Sequence, residues 1–569
     1  MKGEFRPLLG VDSPSVCHNI SCRQETDSLF ITGGPATVRV ACIGGGPGGL
    51  FFATLLRHHD ATHEVTVFER NRAEDTFGFG VVFSDATLAG IFDADPMLRT
   101  ALDDHGVHWD PIELRLHGQR IRCEGNGMAA IERHTLLRVL QEKALEVEVD
   151  VRFQTAVDAD ELRGQGFDLI VASDGANSRT RARFEEAFGP QVEVATAKFI
   201  WFGTTYPFEG LTFVHERGED GVFAVHGYPI GNGRSTFIVE TNEESWRSAG
   251  LDEFDVSQPP GASDEKSKAY LEKLFAEQID GAPLLTNNSR WGNFRTLRTR
   301  SWSATTSEGT PVVLLGDAAH TAHFSVGSGT KMALEDAITL AAALDADTDV
   351  DAALAIYEER RRPLVAKIQD SAGPSLSWWE HFGRTHDALP PWQFAYHFFT
   401  RSMTDSRLRR RAPRFVESIH GIWRREHGAD PLHTPFRFGD RRTQGRMVAL
   451  TDRRGILHLT VGSSDLPLLS SRPHESDWGL WLDAPMSHEE LDQPRRILAY
   501  EATCGAQVVA IAGGSSLTRR LLAEEARFTH KLPVVLVQDS DPDAATTAVL
   551  SGRADLIAFR RSQPLEGEA

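Results

Sequence analysis

Apolar positions along the chain recur with two periods, and the switches between them mark out the elements. The β-branched run TVRVACI (37–43) predicts a strand, which breaks into Gly44-Gly45-Gly46-Pro47-Gly48-Gly49. The following LFFATLLRHH is apolar at helical spacing, and HEVTVFER (63–70) predicts a second strand. Further strands are expected at FDLIVAS (167–173), KFIWFGTTY (198–206), GVFAVHGYP (221–229), STFIVET (235–241) and PVVLLGD (311–317). Between about 191 and 300 they follow one another with few helical signals, the pattern of an antiparallel sheet inserted into an α/β domain. A helical stretch then runs to about 425, and strand–helix units return in AQVVAIAGG, TRRLLAEEARF, PVVLVQD and ADLIAFRR.

The breaks set the expected organisation of an α/β protein. Residues 1–35 read as a flexible tail, 36–190 and 300–370 as the two parts of a Rossmann-like dinucleotide domain, and 191–299 as its inserted antiparallel sheet. Residues 371–432 read as a helical linker and 433–569 as a small C-terminal α/β domain.

Composition narrows the chemistry. Acidic residues number 80 against 60 basic ones, a net charge of −20, which argues against a nucleic-acid or anionic-membrane partner. The densest basic run, RLRRRAPR (407–414), reads as a solvated helix end. The five cysteines lack C-x-x-C or zinc spacing, so free thiols in a reducing cytoplasm and no metal are expected. No apolar run has the length of a membrane span.

Gly44-x-Gly46-x-x-Gly49, between a strand and a helix, fits a dinucleotide fingerprint: a tight turn, close approach of a pyrophosphate, and close helix packing. Pro47 and Gly48 complete the loop, and Glu69-Arg70 ends the second strand where an acid takes ribose hydroxyls. Two later motifs each follow an apolar strand. One is Asp174-Gly175-Ala176-Asn177-Ser178-Arg179-Thr180-Arg181; the other is Gly316-Asp317-Ala318-Ala319-His320, leading to Gly327-Ser328-Gly329-Thr330 and a helix.

The three motifs in this order resemble the single-component FAD-dependent aromatic hydroxylases, the para-hydroxybenzoate hydroxylase-like group, over roughly residues 36–370. FGFGVVFSD (77–85) and GDAAHTAHFSVGSGTK (316–331) are similar to its salicylyl-CoA 5-hydroxylase and 2-aminobenzoyl-CoA monooxygenase branch. KFIWFGTT, STFIVE and WGNF (291–294) are similar to the violacein-pathway hydroxylases. The resemblance implies resident FAD, NAD(P)H as transient donor, O₂, and a small aromatic substrate oxygenated through a flavin C4a-hydroperoxide. It places Arg133 near the FAD phosphates and Asp317 on the ribityl chain. It implies that His323-Phe324, standing where the group usually has Pro-Pro, lies beside the flavin. Phe83, Tyr228, Trp291 and Phe324 are candidates to line the substrate pocket. His323 and His226 are the two candidate bases, and the sequence does not choose between them. The substrate stays open between a salicylyl- or aminobenzoyl-CoA thioester and a heteroaromatic or bicyclic natural-product intermediate. The competing class is a non-catalytic flavin-fold scaffold. TPFRF (434–438) and the last strand–helix units resemble the ends of an old-yellow-enzyme barrel whose middle is missing. A truncated remnant without FMN follows, serving packing or homo-oligomer formation.

Overall fold

In the computed structural model, residues 37–559 are described apart from 77, 95–96, 256–260, 347–348, 463, 474–476 and 540. The expected tail, with Cys17 and Cys22, lies outside the described residues. The cysteines within them, Cys42, Cys123 and Cys504, are free thiols.

The dinucleotide domain is built on a six-stranded sheet. Its spatial order is Ser303–Thr305, Pro311–Leu314, Leu169–Ala172, Arg39–Ile43, Glu64–Phe68 and Asp150–Arg152. All neighbours are parallel except the Ser303–Thr305 edge. The central strands are apolar on both faces, as parallel strands covered by helices must be. Helices Pro47–His59, Arg133–Glu146 and Gly329–Ala346 pack with them in one core.

The inserted sheet is antiparallel through Pro190–Thr204, Arg234–Thr241, Gly221–Gly231 and Thr212–Gly218. It reaches beyond the expected 191–299, because Thr212–Gly218 pairs in parallel with Ile112–Leu116, which brings Gln119–Cys123 with it. Helix Val350–Ala388 likewise runs straight through the expected break near 370, with Pro363 and Pro374 inside it.

In the C-terminal domain seven strands close into a barrel. Met447–Arg453, Ile456–Val461 and Ser464–Leu469 form an antiparallel meander, and parallel strands complete the circuit back to Met447–Arg453. Leu459, Leu466, Val508, Val535 and Leu556 share one buried apolar cluster there. The Gly513-Gly514 turn is packed shut, because a Cβ on Gly514 would stand 2.3 Å from the Pro485 carbonyl.

Candidate active site

Loops and three helix N-termini converge on a cavity of about 730 Å³. One end is walled by Gly46–Gly49, Gly175–Asn177, Arg133, Gly316-Asp317 and Gly327–Thr330. Gly44 has φ +111° and a Cβ there would meet the Ser173 carbonyl at 2.4 Å, so the turn requires glycine. At Gly46 nothing lies within 4 Å of a Cβ position, which leaves room for a ligand against the backbone. Helix Pro47–His59 has Gly46 as N-cap, no side-chain cap and no acid in its first turn, so its positive end faces the cavity. Arg133, at the start of Arg133–Glu146, lines the same end, and burial pulls its guanidinium down from its ordinary value. Asp317 is accessible through the cavity yet deep enough that burial pushes its carboxyl up.

A buried ion cluster supports this wall. Asp336 Oδ2 accepts the Gly316 N–H at 3.1 Å and lies 2.7 Å from His320 Nε2, while Arg361 Nε donates to Oδ1 at 2.8 Å. Burial would raise the Asp336 carboxyl, but His320 and Arg361 outweigh it and hold it below the usual range.

The middle of the cavity is aromatic. Phe324 contacts Phe199 at 5.1 Å and Trp201 at 5.6 Å between ring centroids, and Phe213 meets His226 at 4.9 Å. Tyr228 donates to the Gly80 carbonyl at 3.2 Å, and burial pushes its phenol up to about 12, so it is a donor and not a base. His226 also lines the cavity, 4% exposed. Its Nε2 stands 3.7 Å from Glu240 Oε1, a carboxylate only 1% exposed, whose same oxygen lies 3.3 Å from His323 Nε2. Burial alone would raise the Glu240 carboxyl; the two histidines outweigh it and keep it low. Burial pulls His226 below the ordinary imidazole value, with Glu240 partly opposing. His323 Nδ1 continues at 2.7 Å to Ser325 Oγ, which lies 2.9 Å from Ser375 Oγ, and Arg401 Nε donates to that hydroxyl at 2.9 Å.

Residues 37–372 match the FAD binding domain family. The chain belongs to that family. It is 56% identical over 524 residues to a salicyloyl-CoA 5-hydroxylase of a Streptomyces species, covering 91% of this chain and 99% of the relative. It is 37% identical over 341 residues to a 3-hydroxy-4-methyl-anthranilyl-[aryl-carrier protein] 5-monooxygenase of Streptosporangium sibiricum, covering 60% and 89%. Similarity to a protodeoxyviolaceinate monooxygenase of Chromobacterium violaceum is 32% over 348 residues, again 60% and 89%. The protein is an FAD-dependent aromatic hydroxylase. The site fits the cofactor: Gly46 leaves its cradle open, Arg133 brings a positive charge to the same end, and among the described residues the buried Ser328 hydroxyl has no hydrogen-bond partner.

Several expected site residues lie outside the cavity lining. Asp174 accepts through Oδ2 from Arg179 N and Thr180 N, bracing the loop behind the FAD end. Glu69 holds the fingerprint turn, accepting Gly45 N–H at 2.8 Å, with Asn71 N–H on its other oxygen; Arg70 is exposed. Phe83 belongs to the domain core, and the preceding residues of its strand, Gly80, Val81 and Val82, line the cavity. Trp291 donates its indole N–H to Ser267 Oγ and packs on the far side of the inserted sheet, while Asn293, Phe294 and Arg295 line the cavity. His323 lies behind Phe324, outside the lining. The sequence reading missed Glu240, and it missed Phe199, Trp201 and Phe213, although Phe199 and Trp201 share the i, i+2 spacing of one strand face.

Proposed function

We propose that the protein hydroxylates salicylyl-CoA at C5, para to the phenol, drawing electrons from NAD(P)H. The observation that carries this reading is the 56% identity extending over 99% of the salicyloyl-CoA 5-hydroxylase. That match covers 91% of this chain, so more than half of the barrel is shared; the other two relatives match only 60%. The longer match favours the CoA thioester over a natural-product intermediate.

When bound, FAD supplies the redox chemistry, taking a hydride equivalent and activating O₂. The chain supplies position and a proton acceptor. Phe199, Trp201, Phe213 and Phe324 enclose a flat ring and exclude water. His226 is the base. Glu240 faces Nε2, favouring the tautomer with its proton there and leaving Nδ1 free to take the phenolic proton. Loss of that proton raises electron density at the para carbon. His323, tied to Glu240 and Ser325, positions the carboxylate.

The test is purified protein with salicylyl-CoA, NAD(P)H and O₂. The expected result is substrate-stimulated NAD(P)H oxidation and a product one oxygen heavier. If salicylyl-CoA neither stimulates oxidation nor gains oxygen, the reading is wrong. We assign the enzyme to the cytoplasm and a self-association face to the barrel, where Met486 and Tyr500 are exposed; light scattering on the purified enzyme tests the latter.

A further inference from the structure

The cavity has a second polar end, away from the FAD loops. There the segment following Val350–Ala388 contributes Phe398, Arg401, Met403, Leu408 and Arg411, opposite Asn126. Arg401 stacks on Phe398 at 4.1 Å and Arg411 donates through Nε to the Gly125 carbonyl at 3.2 Å. Among the described residues, neither has a carboxylate within ion-pair distance. Burial pulls the Arg401 guanidinium down to about 10, while Arg411 stands exposed at the mouth. Arg407 and Arg410, exposed on the same short helix, are also without an ion pair among the described residues. Two guanidiniums, Arg401 and Arg411, that line one end of a cavity without an ion pair among the described residues, on a chain of net charge −20, call for an anionic ligand. FAD phosphates would not account for them, since the groups that would hold those phosphates, Arg133 and the glycine loop, wall the other end.

We propose that this mouth binds the phosphopantetheine arm of the substrate. Arg401, beside His226 and Glu240, donates to the thioester carbonyl; the arm's amide groups pass Asn126 between Met403 and Leu408; Arg411, with Arg407 and Arg410 outside, holds phosphate. This rests on the reading that the substrate is an aryl thioester. The same arm occurs on CoA and on carrier proteins, and the arms of the test separate them.

The experiment compares kcat/KM of the FAD-loaded enzyme for salicylyl-CoA, salicylyl-S-pantetheine and a salicylyl carrier protein, in wild type, Arg411→Ala and Arg411→Lys. The wild type is expected to prefer the CoA thioester to the pantetheine thioester at least tenfold. Arg411→Ala should shrink that preference several-fold through KM, and Arg411→Lys should keep most of it. If salicylyl-CoA is turned over but wild type shows no preference for it over the pantetheine thioester, or Arg411→Ala keeps the full preference, the phosphate site is wrong while the aryl-CoA reading stands. If the carrier protein is used far better than CoA, the arm is retained and CoA is displaced as its source. If no thioester is turned over, both readings fall.

Discussion

Replacing Glu240 by glutamine removes a charge while keeping shape, and the structure sets the size of the effect. At 3.7 Å from His226 Nε2, an effective dielectric of about 20 gives an ion pair of about 4 kcal/mol. Glu240 is shared between two histidines at 3.3 and 3.7 Å, so its loss lowers the His226 pKa by only part of that energy. The sign follows from the role. A base must be unprotonated, so activity falls as pH drops through the His226 pKa. Burial already lowers that pKa, and Glu240 opposes the fall. Glu240→Gln therefore moves the acid limb of kcat to lower pH and weakens the base, lowering the plateau about tenfold. NAD(P)H is still consumed, with hydrogen peroxide replacing product. The assay is product formed per NAD(P)H oxidised across the pH range. An acid limb that stays put or moves to higher pH, with full coupling, refutes the argument.

Asp317→Ala should lose most of its bound FAD, read from the flavin-to-protein absorbance ratio after gel filtration; full occupancy would mean the Gly316-Asp317 turn does not hold the cofactor. Cofactor extracted from pure protein should be FAD alone, because apolar side chains fill the barrel and the Gly513-Gly514 turn is packed against Ala484-Pro485; an equimolar FMN peak would overturn that. His215 is buried among Trp378, Trp379 and Phe394, with both ring nitrogens unpartnered among the described residues, and burial holds its pKa well below the ordinary value. The unfolded chain takes a proton there below about pH 6.5 and the folded chain does not, so folding loses about 1.4 kcal/mol per pH unit as pH falls further. His215→Leu should thus lose less Tm than wild type between pH 7 and pH 5, and an equal loss in both would remove His215 as a contributor.

The parts legible in the sequence are those whose requirement is local. Gly44, Gly46 and Gly49 announce themselves because a turn, an open cradle and a close helix each forbid a side chain at a fixed spacing. Arg133, Asp317 and Gly327–Thr330 follow from the same order of motifs, and all line the cavity. His226 and Tyr228, two apart on one strand, face the cavity together. Phe83 lay beyond reach of the sequence: its strand lines the cavity at Gly80, Val81 and Val82 and turns into the core at Phe83, and only tertiary packing decides where that change falls. Glu240 had no local signal. In STFIVET it reads as a polar strand end, and its meaning comes from His226 across the sheet and His323 from a distant loop.

The run RLRRRAPR shows the same limit from the other direction. On sequence it is a solvated helix end, and Arg409 behaves as one, pairing with Asp405 and Glu417. Arg411, two residues on, reaches the cavity because the helix carrying it is held against the rest of the protein at both sides. Gly125 receives Arg411 on one side. On the other, the barrel grips the preceding segment: Arg553 donates to Thr400 Oγ1 at 3.0 Å and to the His397 carbonyl at 2.9 Å, and Thr547 Oγ1 accepts Asp405 N–H at 2.8 Å. These contacts are buried, where a lost partner costs about 1–3 kcal/mol each. The barrel therefore has a physical task although its own interior is filled with side chains: it fixes the backbone from which Arg401 and Arg411 enter the cavity. Its contribution to the site is made through those hydrogen bonds, in a wall that no motif of the dinucleotide domain announces.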